Sequence, residues 1–324
     1  MINSQNQRKV LIVGAAGFIG TNLVKALSSQ HKVIAGIRYR NEKKMIFQAQ
    51  RLRRIAKPAA IVAGDVREGF ISPKRLRELD VDVVIYAAGQ CDVDQATKEA
   101  KAGDWGSTVT MQVNAFGVQK LAKNCTALAK EGKPIQFIYL SSIYASVKGD
   151  SQNLGDEPEK HYGYSKHLGE QLLQNNPMLD ISIVRLPRMV GLYQNTSAQA
   201  CRIREDILFG RKLPVLNLKQ MTLTPVDILN KEIQSLLEQP IIQGKFAIKE
   251  LSSGSDIATS PMEIAQAFEQ AIAVRFHYTP LLQTKNAQLC SLTNAIIEDR
   301  VKHFEDAAKK IQKAYREYGR RKNA

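Results

Sequence analysis

The chain of 324 residues contains no apolar run near the roughly 18–20 residues that span a bilayer, and its amino terminus, MINSQNQRKV, is polar. Neither a transmembrane helix nor a cleaved signal peptide is expected, and the expected location is the cytoplasm. Cysteine is scarce: Cys91, Cys125, Cys201 and Cys290 are scattered, without close pairs or metal-ligand spacing. That argues against a disulfide framework or zinc cluster and leaves reduced core or surface thiols. The five histidines do not cluster either, so no metal is expected. Aromatic and basic residues do not interleave as they do in nucleic-acid surfaces. Acidic residues are outnumbered 31 to 46, a net charge of +15. Such a balance speaks to partners: an anionic small molecule, or solvated basic faces such as 40–54 and the carboxyl-terminal tail.

What is present is a rhythm. Strand-length apolar runs lie at 10–15 (VLIVGA), 33–37, 60–65, 81–89, 135–142 (IQFIYLSS) and 181–187. Helix-like stretches separate them at about 20–29, 42–54, 73–78, 107–131 and 162–175. Continuous apolar strands alternating with helices imply an α/β fold, a Rossmann-type doubly wound parallel sheet. The rhythm stops near Gly191. We therefore expect a nucleotide-binding domain over 1–190 and a smaller substrate lobe over 191–324, with 222–229 returning to the first domain. The lobe should hold helices near 197–210, 226–238, after Pro261, and from about 292.

Gly14-Ala15-Ala16-Gly17-Phe18-Ile19-Gly20 follows the first strand and opens a helix. Glycines at this spacing allow a tight turn and close approach of backbone to a pyrophosphate, which the helix N-terminus then faces. The end of the second strand, Ala35 to Arg40, carries no carboxylate to bind ribose hydroxyls. Arg38 there suits a 2′-phosphate, so NADP is expected over NAD. Asp65, ending the third strand, is placed to accept from the adenine amino group.

Tyr162 and Lys166 stand at i and i+4 on a helix, one face and one turn apart. A phenol is a poor base at pH 7, and a nearby ammonium lowers its pKa. Ser141-Ser142 end the fifth strand about 20 residues earlier, where a hydroxyl can hold a substrate oxygen. Hydride and proton chemistry on a carbonyl or alcohol follows, with the hydride belonging to the cofactor.

With these pieces, and with Asp65-Val66, Ala87-Ala88-Gly89, Asn114 in VNAFGVQKL, Arg185 to Gly191 and TPVDIL (224–229), the chain resembles the extended short-chain dehydrogenase/reductases, specifically the NAD(P)-dependent epimerase/dehydratase family. The resemblance covers most of the chain. It implies that Ser142, Tyr162 and Lys166 are catalytic with Asn114 in support. The cofactor would lie along Gly14, Gly17, Phe18, Ile19, Gly20, Arg38, Asp65, Val66, Ala87, Ala88, Gly89, Tyr162 and Lys166, with Pro187 beside the nicotinamide. Gln90, Ser142 and Arg188 become substrate candidates, and Arg202, Arg204 and Lys212 candidate anion contacts. Departures narrow the subtype. Sugar-nucleotide dehydratases carry an Asp-Glu pair where this chain has Ile143-Tyr144, and fucose-synthase relatives place a cysteine there. Many epimerases have Asn where Arg188 stands. The expected function is an NADP(H)-dependent ketoreductase acting on a nucleotide-linked sugar or other anionic small molecule. An epimerase that retains its cofactor and a non-catalytic NADP-binding sensor or scaffold are the alternatives. No nucleic-acid or membrane partner is expected, and a homodimer is left open. Trp105 either borders the substrate or anchors a loop. The tail at 311–321 fits a loose calmodulin-binding pattern and is read as a basic surface helix.

Overall fold

The computed structural model describes residues 7–39, 41–102, 104–146, 158–193, 221–252, 257–276 and 284–298. In chain order these form β1 (Lys9–Val13), α1 (Phe18–Leu27), β2 (Lys32–Arg38), α2 (Glu42–Ile55), β3 (Ala60–Gly64), α3 (Pro73–Leu79), β4 (Val83–Tyr86), α4 (Val93–Lys101) and the short α5 (Val109–Met111). A π-helical turn (Gln112–Phe116) leads into α6 (Gly117–Ala129), then β5 (Gln136–Ser142), α7 (Pro158–Gln174), β6 (Asp180–Leu186) and β7 (Met189–Val190). There follow β8 (Met221–Pro225), α8 (Val226–Glu238), β9 (Phe246–Glu250), β10 (Ile257–Thr259), α9 (Pro261–Phe276) and α10 (287–298). The chain divides into two compact units, one of residues 1–189 with 224–255, the other of 190–223 with 256–324.

The first unit is built on a seven-stranded parallel sheet of order β3-β2-β1-β4-β5-β6-β9. The order reverses at β1, which pairs with β2 on one side and β4 on the other. Side chains alternate across the pleat, so each strand feeds two cores. Leu11, Val13, Val84, Tyr86, Phe137 and Tyr139 pack on Val118, Leu121, Cys125 and Leu128 of α6. Val10, Ile12, Val83, Ile85, Ile138 and Leu140 pack on Leu23 and Leu27 of α1 and on Leu229 and Ile233 of α8. Covering both faces is why these strands read as unbroken apolar runs.

Local chemistry sets the helix starts. Asn41 accepts from Lys44 N, Asp92 from Gln95 N, and Ser72 from Arg75 N with Pro73 in the first turn, each satisfying an orphan donor. Two elements depart from the sequence pattern. The stretch 107–131 is broken by the π-helical turn, where Gly117 N–H reaches back to Gln112 O. α4 was not apparent because it buries only Ala96 and Thr97, and its remaining residues are polar or solvent-facing.

In the second unit β10 pairs antiparallel with β8 through Ile257↔Leu223, Ala258↔Thr222 and Thr259↔Met221. Val190, Leu223, Ile257, Ile264, Phe268, Leu289 and Ile297 form its core. Ser260 and Glu263 make a reciprocal capping box at the start of α9: Glu263 N donates to Ser260 Oγ at 3.2 Å and Ser260 N to Glu263 Oε2 at 3.0 Å. Residues 197–216, Cys201, Arg202, Arg204, Lys212 and the tail from 299, including 311–321, lie outside the described residues.

Candidate active site

The loop after β1 turns on Gly14, whose φ of +89° lies in the left-handed region that favours glycine. Gly14 N and Ala15 N both donate to Gly36 O at 2.9 Å, and Gly17 N donates to Gly14 O at 3.0 Å. A side chain at Gly14 would lie 2.6 Å from Ala88 N, so the loop rests directly on Ala87-Ala88 beyond β4. A side chain at Gly20 would lie 2.2 Å from Gly14 O, so α1 packs hard against the turn. Gly17 caps α1 with extended backbone and no side-chain acceptor, and the first turn, with Phe18, Ile19 and Gly20, holds no acidic residue. Its amide donors have no acceptor within the helix, which suits an anion. This cradle fits the pyrophosphate of a dinucleotide. Arg51 of α2 donates to Ala16 O at 3.2 Å, a contact to the loop that the sequence did not reveal.

Arg38 pairs in register with Gly64, which brings it beside Asp65. Its Nε lies 3.7 Å from Asp65 Oδ2. Arg67 holds the same carboxylate more tightly, through its amide at 2.9 Å and its guanidinium at 2.6 Å. Hydrogen bonding from Arg67, and the charges of Arg67 and Arg38, keep this carboxyl below the usual range against the opposing effect of burial. Asp65 is thus clamped by Arg67, and two guanidiniums stand at the ends of β2 and β3. Val66, next in sequence, packs its side chain into the core of the first unit.

Ser142 closes β5, and Tyr162 and Lys166 project from α7. All three side chains are buried. Lys166 Nζ donates to Leu140 O at 3.0 Å and lies 5.0 Å from the Tyr139 ring centroid. Ser142 and Cys91 both act on the Tyr162 phenol, and Ser142 Oγ accepts from Tyr144 N at 3.3 Å. Asn114, in the π-helical turn, accepts from Gln90 N at 2.9 Å and donates to Gln90 O at 2.9 Å and to Ser165 Oγ at 3.0 Å. A methyl group on Gly89 would meet Cys91 Sγ at 3.3 Å, Lys166 Nζ at 3.4 Å and Asn114 Oδ1 at 3.6 Å, so these groups converge on one point. Burial, then Cys91, push the Tyr162 phenol well above its ordinary value, while a hydrogen bond from Ser142 pulls it down. Burial also lowers the Lys166 ammonium, against the charges of Cys91 and Glu170. The ammonium is expected to draw the phenol down; the largest effect on Tyr162 is desolvation, which raises it.

Gly14 to Gly20, Ala87 to Gly89, Asn114, Ser142, Tyr162 and Lys166 gather at the carboxyl ends of the central strands, where ligands bind in open parallel sheets. Pro187 and Arg188 follow Leu186, the register partner of Ser142. Pro187 is half-buried and Arg188 exposed. Gln90 contributes its backbone to Asn114, but its side chain folds back on Asp92. Trp105 stacks edge-on against His161 at 5.8 Å. The sequence missed Cys91, which lies two residues past Gly89 and was read as an ordinary thiol, and the network behind the site. There Ser141 Oγ donates to Glu170 Oε1 at 2.5 Å and Arg185 grips both Glu170 oxygens, at 3.0 and 2.7 Å.

Known proteins share this chain's sequence pattern and its fold. A UDP-glucose 4-epimerase from Vibrio cholerae is 25% identical over 282 residues, 81% of this chain and 76% of that protein. The structure of UDP-glucuronic acid 4-epimerase from Bacillus cereus, in complex with UDP-glucuronic acid and NAD, aligns with a TM-score of 0.65 at 18% identity, covering 90% of this chain and 99% of that one. A dTDP-glucose 4,6-dehydratase from Streptomyces venezuelae, with NAD bound, aligns at 0.64 and 18% identity over 90% and 98%. The sequence profile of the NAD dependent epimerase/dehydratase family matches residues 10–221, and the chain belongs to that family.

Proposed function

We propose that this protein is an NADP(H)-dependent ketoreductase acting on a nucleotide-linked sugar or another anionic small molecule. The observation that carries the reading is that Ser142, Tyr162 and Lys166 are all buried, the first at the end of β5 and the other two one turn apart on α7, with burial favouring the protonated phenol. A phenol that keeps its proton is prepared to donate to a carbonyl oxygen that gains hydride. Ser142 would hold that oxygen, Lys166 would orient the nicotinamide ribose, and Asn114 would fix the Gln90 segment through both backbone groups. The dinucleotide would lie over Gly14 to Gly20, and when bound it supplies the hydride. Arg38 and Arg67, with no carboxylate ending β2, favour a cofactor bearing a 2′-phosphate. The nucleotide-linked substrate follows the relatives, whose names and bound ligands are nucleotide sugars. Those same relatives favour a second reading, a nucleotide-sugar epimerase that cycles a retained cofactor. The experiment is a screen of nucleotide sugars and small ketones with NADPH and NADH. Net NADPH consumption is the expected result. An isomerised sugar without net consumption would establish the epimerase, and equal use of both cofactors would remove the role given to Arg38 and Arg67.

A further inference from the structure

Beside Lys166 stands a second phenol that the proposed chemistry does not use. Tyr139, on β5 shortly before Ser141 and Ser142, is fully buried. The face of its ring carries Lys166 Nζ, 5.0 Å from the centroid. Its hydroxyl donates to Asn114 O at 2.7 Å, and the hydroxyl of Tyr86 on β4 donates to the neighbouring Val113 O at 2.6 Å. The two rings meet edge to face at 5.9 Å, so each fixes the tilt of the other. α7 leaves room for this arrangement. A side chain at Gly169, less than one turn beyond Lys166, would lie 2.8 Å from Tyr139 Oη and 2.6 Å from Asn114 O. The ring is thus set by β4, by the π-helical turn and by α7, and its face meets Lys166.

We propose that Tyr139 is a positioning residue of this site: its ring, fixed by the hydroxyl on Asn114 O, holds the Lys166 ammonium against its face and in place for the nicotinamide ribose. The inference rests on the reading that Lys166 orients that ribose. An ammonium has three donors and no acceptor. Leu140 O takes one of them at 3.0 Å. Burial strips the ammonium of water and disfavours its charged form. The negative face of an aromatic ring attracts a cation, most strongly where water is excluded. The ring therefore keeps charge on Lys166 without claiming an N–H that the ribose hydroxyls need. A carboxylate in the same place would bind those donors directly.

The other titratable groups near Lys166 are engaged elsewhere or set apart from the ring. Glu170, one turn along α7, is held by Arg185 of β6 at 2.7 Å and by Ser141, with His167 at 3.9 Å. Tyr162 lies one turn back along α7, with Tyr144 of the turn after β5 at 6.4 Å between rings. Cys91, from the segment after β4, approaches on the side of Gly89. On the helices that pack against α7, Asp94, Lys98 and Lys101 of α4 and Lys120 and Lys123 of α6 are exposed, and Glu99 accepts from Thr110 N. Burial lowers Lys166 most, and the charges of Cys91 and Glu170 oppose it. A change confined to the Tyr139 ring alters none of these groups.

The test varies the charge on the ring face at nearly constant shape. Position 139 receives phenylalanine (Tyr139→Phe) and then its mono-, di- and trifluorinated analogues through a suppressed stop codon, with folding of each protein checked by thermal unfolding. Lysine labelled with 13C at Cε reports ionisation, and the Lys166 signal is assigned by its loss in Lys166→Arg. As fluorine draws charge from the ring face, the Lys166 titration midpoint should fall stepwise, by at least about half a pH unit from phenylalanine to the trifluorinated ring. The alkaline limb of kcat for reduction should move in the same order, while KM for the ketone stays the same. Should Tyr139→Phe fail to fold, ring-fluorinated tyrosines, which keep the hydroxyl on Asn114 O, supply the same series. A Lys166 midpoint indifferent to fluorination overturns the proposal, because a ring that only fills space behaves alike with or without fluorine. A midpoint that falls in a protein that reduces no ketone keeps Tyr139 in its role and removes the reductase reading instead.

Discussion

At the scale of single residues, Tyr162 is where opposing effects meet: burial and Cys91 hold its proton, Ser142 loosens it, and Lys166 is partly disarmed by its own burial. Replacing the hydroxyl with hydrogen should separate chemistry from binding. Tyr162→Phe is expected to lower kcat by about 10²–10⁴-fold, the usual worth of a positioned acid, with cofactor affinity unchanged by fluorescence titration. Full turnover in that variant would leave a dinucleotide-binding protein without this catalytic set. Behind the site, Glu170 and Arg185 form a buried ion pair completed by Ser141. Glu170→Gln leaves the Arg185 charge short of its partner. A loss of about 3–5 kcal/mol is expected from denaturant midpoints, because an uncompensated buried charge costs more than the pair contributes. A loss under about 1 kcal/mol would mean that Glu250, also 3.3 Å from Arg185, suffices alone.

Among the elements, the junction of β1 and α1 is the least forgiving. Gly20→Ala would drive a methyl group to 2.2 Å from Gly14 O, into backbone that cannot swing aside. Dinucleotide binding should fall by at least about tenfold in calorimetry even where the protein stays folded, since the cradle depends on that close packing. Unchanged affinity would show that the loop is not the phosphate site. This junction was legible in the sequence because glycine spacing, an apolar strand and a helix coincide within a dozen residues. The strands were legible for a related reason: residues such as Val83 to Tyr86 are buried on both faces and leave no polar alternation to confuse the pattern. What was not legible depends on contacts distant in sequence. β9, with four exposed residues, joins the sheet only through its pairing with β6. The turn around Asn114 widens to a π-helix as its carbonyl meets the Tyr139 hydroxyl at 2.7 Å and its side chain clamps Gln90. Cys91 becomes part of the site only when α7 returns to it.

For the molecule as a whole, a net charge of +15 is a field as well as a composition. Screening shortens from about 10 Å at 0.1 M salt to about 3 Å at 1 M, so exposed charges lose their reach first. Raising salt should therefore weaken NADPH binding more than NADH binding, because only the former presents a 2′-phosphate to the half-exposed Arg38 and Arg67. Equal salt dependence for the two, measured by titration, would place the charge effect elsewhere.

The division of the chain has a consequence for the order in which it is made. Every residue of the candidate catalytic set lies before position 167, and the first unit breaks off at Met189. Its edge strand β9 and the helix α8 that covers one face come only after residues 190–223 of the other unit. A ribosome working at about 5–20 residues per second needs several seconds to cross that interval. During that time the nascent chain holds β6 with an unpaired flank and a sheet face still lacking Leu229, Ile233 and Leu237. Such an edge invites pairing with other chains, so the growing polypeptide passes through a stage in which its chemistry is already encoded but its sheet is still open.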